Sequence, residues 1–166
     1  MAAKDNEKIN VLFCCLGNIC RSPMALAVFE DTAKKAGVRD KFDILDSCGT
    51  GNYHEGEEPD ERTTALLRKR NIWYDENNFA RGVRDADFSR FDYIFGMDVN
   101  NVRNLKTMAP RGSTAKVYLF GEFDDGKPIA DPYYSGGNGF EVTYKQCLRY
   151  SHAFLSHLGL GAQAKS

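Results

Sequence analysis

Four short apolar runs, at residues 9–15, 42–47, 91–97 and 116–120, recur along the chain with helical segments between them. Strands that alternate with helices cannot be joined as tight hairpins. They need crossover connections, and these generate a parallel sheet with helices on its faces. The first run, INVLFCC, is almost unbroken in its apolar character, as a strand covered on both sides should be. The expected fold class is α/β: three layers, α/β/α, around a central four-stranded parallel sheet.

Helices are expected at 21–37, 59–70, 98–108 and 140–158, with a short turn at 87–90. Pro23 suits a first turn, where a missing N–H costs nothing, and Gly37 suits a C-terminal cap. The core stripes should include Met24, Ala27, Val28 and Ala36, then Val99, Val102 and Leu105. On the last helix they should include Val142, Leu148, Phe154, Leu155 and Leu158.

A length of 166 residues at 42% hydrophobic content is enough for one core. The expected unit is a single domain at 9–160, with a flexible polar lead at 1–8 and a flexible tail at 161–166. Basic and acidic side chains number 22 and 23, so the excess of positive charge that a nucleic-acid binder shows is missing. Five cysteines, at 14, 15, 20, 48 and 147, match neither a disulfide scaffold nor a C-x2-C metal knuckle. A reducing compartment follows as an expectation, with Cys14, Cys48 and Cys147 structural. The apolar run at 11–16 is too short to span a membrane. The expectation is a soluble, cytoplasmic chain that contacts neither nucleic acid nor membrane.

The chemistry concentrates in CLGNICRS, residues 15–22, which joins the first strand to the first helix. Loops beyond the carboxyl ends of parallel strands are where such folds bind ligands. Backbone N–H groups of a tight loop and the terminus of a helix form a nest for one anion. Gly17 permits the close turn, and Asn18 tolerates a left-handed backbone. Leu16, Ile19 and Cys20 complete the loop. A thiol in such a nest favours its thiolate form, the nucleophilic one. Arg21 offers a planar fork for two oxygens of a tetrahedral oxyanion. Ser22 can donate a hydrogen bond to the sulfur. The spacing C-x5-R therefore sets a nucleophile beneath a cradled phosphoryl group.

The run CLGNICRSP at 15–23, followed far downstream by DPYY at 131–134, resembles the low-molecular-weight protein tyrosine phosphatase family. DS at 46–47, FDYI at 91–94 and MD at 97–98 recur in the same order, so the resemblance spans about residues 9–158. It implies that Cys15 is the nucleophile, Arg21 binds the phosphoryl group and its transition state, and Asp131 is the general acid and base. It implies that Asn18 and Ser47 support the loop, that Asp98 steadies Arg21, and that Tyr53, Tyr133 and Tyr134 ring the cleft. Cys20 matches a cysteine that can bridge reversibly to Cys15. The implied substrates are phosphotyrosine proteins or small aryl phosphates, with phosphate and other oxyanions as inhibitors. Neither cofactor nor metal is implied, and the chain should be a monomer.

One position departs from the pattern: Asn78 stands where the family often has a histidine that supports the loop. His54 lies in a loop beside the cleft, whereas His152 and His157 fall on the surface of the last helix. Three alternatives compete. A protein-arginine phosphatase of this type carries threonine where Ile19 stands. An arsenate reductase needs a cysteine relay that Cys48 and Cys147 do not obviously form. A phosphotyrosine-binding module without activity would need neither Cys15 nor Asp131.

Overall fold

The computed structural model describes residues 7–134 and 137–161, with the Tyr134 side chain excepted. The expected flexible ends fall largely outside these residues. β1 (Ile9–Cys15), β2 (Phe42–Gly49), β3 (Tyr93–Gly96) and β4 (Lys116–Leu119) form one sheet in the order β2-β1-β3-β4. Every adjacent pair is parallel. The chain leaves β1 for a strand on one side and later returns to pair on the other. The carboxyl end of β1 therefore stands at the switch point of the sheet, where a crevice opens between diverging connections.

The helices are α1 (Arg21–Lys35), α2 (Glu61–Lys69), α3 (Asp87–Arg90), α4 (Val99–Met108) and α5 (Gly139–His157). Alternation along β1 divides the core in two. Val11, Phe13 and Cys15 join Met24, Val28 and Phe29 of α1 and Phe154 of α5. Leu12 and Cys14 join Cys48, Phe88 of α3 and Leu105 of α4 on the opposite face. This is the three-layer α/β/α arrangement.

Differences from expectation are local. Val99 and Val142, expected in the core, are exposed in the first turns of their helices. The loop expected at 121–138 contains two 3-10 turns, Phe120–Phe123 and Pro132–Tyr134. The expectation of unpaired cysteines is corrected at one place. β1 and β2 set Cys14 opposite Cys48, and the two form a disulfide. Sequence spacing could not show this pairing, which depends on register between two strands that lie 34 residues apart.

Candidate active site

Cys15 ends β1 and α1 begins at Arg21, so residues 16–20 must turn sharply between them. Asn18 takes the left-handed conformation at φ 60°, as its short polar side chain allows. The turn brings its backbone back over the sulfur: Asn18 N–H donates to Cys15 Sγ at 3.2 Å. Ser22 Oγ lies 3.1 Å from the same sulfur. The first turn of α1 carries no acidic residue, so no carboxylate of its own competes for an anion at that terminus.

Asn18 Nδ2 donates to Ser22 Oγ at 2.8 Å and to Ser47 Oγ at 2.9 Å. All three side chains are buried. The residues that follow β2 support the loop as well: Thr50 N–H donates to the Cys15 carbonyl and Gly51 N–H to that of Leu16. Gly49 precedes them with no room for a side chain. A Cβ there would stand 2.7 Å from the carbonyl oxygens of both Leu16 and Gly51.

Arg21 is only 3% exposed, and two fixed acceptors hold it: Asp98 Oδ2 at 2.7 Å and the Ile129 carbonyl at 2.9 Å, both through Nη1. Its Nη2 is 3.7 Å from Asp131 Oδ2. Asp98 also caps α4, its Oδ1 accepting from Asn101 N–H at 2.8 Å in a capping box. Both roles expected of Asp98 coexist on its two oxygens. Asp131 opens the Pro132–Tyr134 turn, where Tyr133 N–H donates to its Oδ1 at 3.0 Å and leaves Oδ2 toward the arginine.

These groups surround a cavity of about 360 Å³. Cys15, Arg21 and Asp131 line it together with Leu16, Gly17, Ile19 and Cys20 of the loop. Tyr53, His54 and Tyr133 form the rest of the wall. The Tyr134 side chain, expected at the mouth, lies outside the described residues. Cys20 differs from Cys15 in its surroundings. Burial, and then the Asp60 carboxylate beside it, push the Cys20 thiol well above its ordinary range and keep it protonated. A second cavity of about 340 Å³, walled by Trp73, Tyr74 and Asn78 among others, is lined by neither cysteine nor arginine. Among the described residues, no group of three His, Cys, Asp or Glu side chains is placed to hold a metal ion.

The motif left several contributors unseen. Ile129 acts through its carbonyl, which carries no side-chain signal. Arg81 donates its backbone N–H to Asn18 Oδ1 at 3.0 Å from a position 63 residues away. His54, expected in a loop beside the cleft, lines the cavity. Its Cδ2 would lie 2.8 Å from a Cβ on Gly17, which makes the bare glycine the surface on which the imidazole rests.

Residues 10–164 match the family model described as low molecular weight phosphotyrosine protein phosphatase. A relative of that name from Schizosaccharomyces pombe is 48% identical over 155 residues, covering 92% of this chain and 98% of its own. The crystal structure of YfkJ from Bacillus subtilis superposes with a TM-score of 0.83 at 37% identity, covering 92% of this chain and 96% of the other. That of DARP, a Drosophila arginine phosphatase, also gives 0.83, at 35% identity and with 90% and 98% covered.

Proposed function

Because the chain belongs to the low molecular weight phosphotyrosine protein phosphatase family, whose mechanism is cysteine-based, we propose that Cys15, Arg21 and Asp131 divide the reaction among them. Cys15 Sγ attacks phosphorus while the aryl oxygen departs with a proton from Asp131. The result is a phosphocysteine and a phenol. Asp131, now a carboxylate, takes a proton from water as that water attacks phosphorus. Phosphate leaves and the thiolate returns. Arg21 holds two equatorial oxygens, and the loop N–H groups hold the charge that spreads over the phosphoryl group. Ser22 and the Asn18 N–H stabilise the sulfur as leaving group in the second step.

The observation that carries this reading is the environment of one atom. Cys15 Sγ has two hydrogen-bonding neighbours, within 3.2 Å, at the floor of a cavity that also holds an arginine and a carboxylate. Cys15 otherwise packs in the apolar cluster shared by β1 and α1, so these polar neighbours single out its sulfur. Leu16, Tyr53 and Tyr133 are large apolar groups exposed at or near the rim, suited to a phenyl ring. Phosphotyrosine proteins and small aryl phosphates are the substrates that fit. Phosphate and related oxyanions should compete for the loop.

Similarity to DARP gives phosphoarginine a claim as substrate. Ile19 in the cavity wall argues against it, since its side chain offers no hydroxyl to a guanidinium. We place the enzyme in the cytoplasm as a monomer. Among the described residues no helix is long and apolar enough to cross a membrane. The Cys14–Cys48 bond runs against a reducing compartment, where disulfides are rare.

The test is hydrolysis of p-nitrophenyl phosphate without added metal, followed by kcat/KM for phosphotyrosine, phosphoserine and phosphoarginine peptides. Turnover should vanish in Cys15→Ser. Equal rates for the two proteins would remove Cys15 from the reaction, and a clear phosphoarginine preference would overturn the reading of Ile19.

A further inference from the structure

The hydrogen bonds beneath the catalytic loop close into a ring. Asn18 Oδ1 accepts from the backbone N–H of Arg81 at 3.0 Å. Asn18 Nδ2 donates to Ser47 Oγ at 2.9 Å, and Ser47 N–H donates to Asp46 Oδ1 at 2.8 Å. Asp46 Oδ2 accepts from Arg81 Nε at 3.2 Å and Nη2 at 3.1 Å, which returns the path to its start. The branch that matters leaves at Asn18, whose Nδ2 also donates to Ser22 Oγ, the neighbour of Cys15 Sγ.

Arg81 is the member that joins the most distant parts. Outside the ring, its guanidinium donates to both oxygens of Asp87, at 2.9 and 3.1 Å, and Asp87 is 3% exposed. Its carbonyl accepts from Gly49 N–H at 2.8 Å. One residue thus ties the catalytic loop, the end of β2 and the start of α3. The ring closes without the side chain of Asn78, the position at which the expected histidine is missing.

We propose that Arg81 is a positioning residue of the phosphatase reaction, fixing the Asn18 carboxamide and through it Ser22 and Cys15. The proposal rests on the reading of Cys15 as nucleophile. An amide has two similar orientations, and its neighbours decide between them. Arg81 N–H is purely a donor, so it must face Oδ1. With Oδ1 held there, Nδ2 points at the two hydroxyls. Turning the amide over would set its NH2 group against the N–H of Arg81. The backbone N–H stays in place because the guanidinium is anchored to two carboxylates. Without that anchor the orientation loses its enforcement, and Ser22 Oγ becomes free to leave the sulfur.

The experiment compares the full chain with Arg81→Met, Arg81→Lys and the double variant Arg81→Met/Asp87→Asn, in which Asp87 is not left charged and unpaired. Circular dichroism and a cooperative melt establish folding, and kcat and KM are measured on p-nitrophenyl phosphate. In the Met variants kcat should fall by roughly tenfold or more, the scale of a small displacement of a reacting group, with KM within about threefold. Arg81→Lys should recover part of the loss, because it keeps the charge but not the fork. If Arg81→Met fails to fold, Arg81→Lys and the double variant decide. Folded variants whose kcat stays within about twofold of the unchanged protein would overturn the proposal, as would a rise in KM with kcat unchanged. Cys15-dependent turnover in the unchanged protein separates this failure from a failure of the nucleophile assignment.

Discussion

Asp98→Asn tests whether Arg21 is held by charge. Aspartate 98 serves two partners with two oxygens: Oδ1 takes Asn101 N–H at 2.8 Å, and Oδ2 takes Arg21 Nη1 at 2.7 Å. Asparagine has one oxygen. It is an equally good N-cap, so the cap can survive, but its NH2 then faces another donor. The pair is poorly solvated, with side-chain exposures of 3% for Arg21 and 28% for Asp98. A charge-assisted hydrogen bond in such a place contributes roughly 1.5–3 kcal/mol. The remaining Ile129 carbonyl bond offsets little of its loss. A domain of this size loses about 2–4 °C of melting temperature per kcal/mol, so the variant should melt roughly 3–12 °C lower.

Phosphate gives the decisive comparison. An oxyanion in the cavity supplies the negative charge that Asp98 no longer provides. Saturating phosphate should therefore raise the melting temperature more in Asp98→Asn than in the unchanged protein. The rate should still drop, because the fork is no longer aimed, and about tenfold or more in kcat is expected for misalignment of this kind. Thermal melts with and without phosphate and p-nitrophenyl phosphate kinetics measure all three quantities. A phosphate-free melt within about 1 °C of the unchanged protein, with kcat within about twofold, would refute an electrostatic role for Asp98.

Asp131→Ala should slow phosphotyrosine hydrolysis by about 10²–10⁴-fold, the usual contribution of a general acid, and p-nitrophenyl phosphate hydrolysis by less. The nitrophenolate needs less protonation to leave, so equal losses in steady-state rates on the two substrates would contradict the proton-donor role. Gly49→Ala should melt roughly 2–12 °C lower and lose activity. Its new Cβ meets two backbone oxygens of the loop system at 2.7 Å, and overpacking typically costs about 1–3 kcal/mol. Unchanged melting and kcat would show that the loop can yield there. Cys48→Ala should melt about 10 °C lower, since a cross-link over a separation of 34 residues is worth up to about 4 kcal/mol in the chain-entropy view. Reductant in a melt should lower the unchanged protein toward the variant and leave the variant where it is; identical melts throughout would show that the bond contributes nothing.

What the sequence made legible was what local spacing encodes. β1 was expected at 9–15 and spans those residues, because its apolar run is bounded by a polar lead and a glycine turn. Asp98 could be read both as a helix cap and, by resemblance, as the partner of Arg21, and it is both. The third strand was expected to be longer than Tyr93–Gly96. Phe91 is buried yet lies before the ladder, filling the core beside α3 rather than pairing. The contacts that join Asp46, Arg81 and Asp87 leave no local sequence signal, because they link separate segments or involve the backbone. The nearest clue was Asp46 beside Ser47, since an aspartate can accept the following N–H as well as an arginine.

The two adjacent cysteines show how little separates a cross-linked structural cysteine from the proposed nucleophile. Cys14 and Cys15 differ by a single step along β1, and successive side chains of a strand point to opposite faces. Cys14 enters the cluster shared with α3 and α4, where its partner across the sheet is Cys48. Cys15 belongs to the face toward α1, and the turn that follows it brings Asn18 N–H and Ser22 Oγ onto its sulfur. Neither residue type nor burial distinguishes them, since both are nearly inaccessible. The distinction is register: sliding β1 by one residue would exchange the two faces and aim the other sulfur at the loop. The pairing of Val11 to Cys15 with Leu45 to Gly49 holds that register, and with it the Thr50 and Gly51 N–H bonds to the carbonyls of Cys15 and Leu16. The Cys14–Cys48 bond opposes any such slip, because it ties β1 to β2 at that step of the ladder.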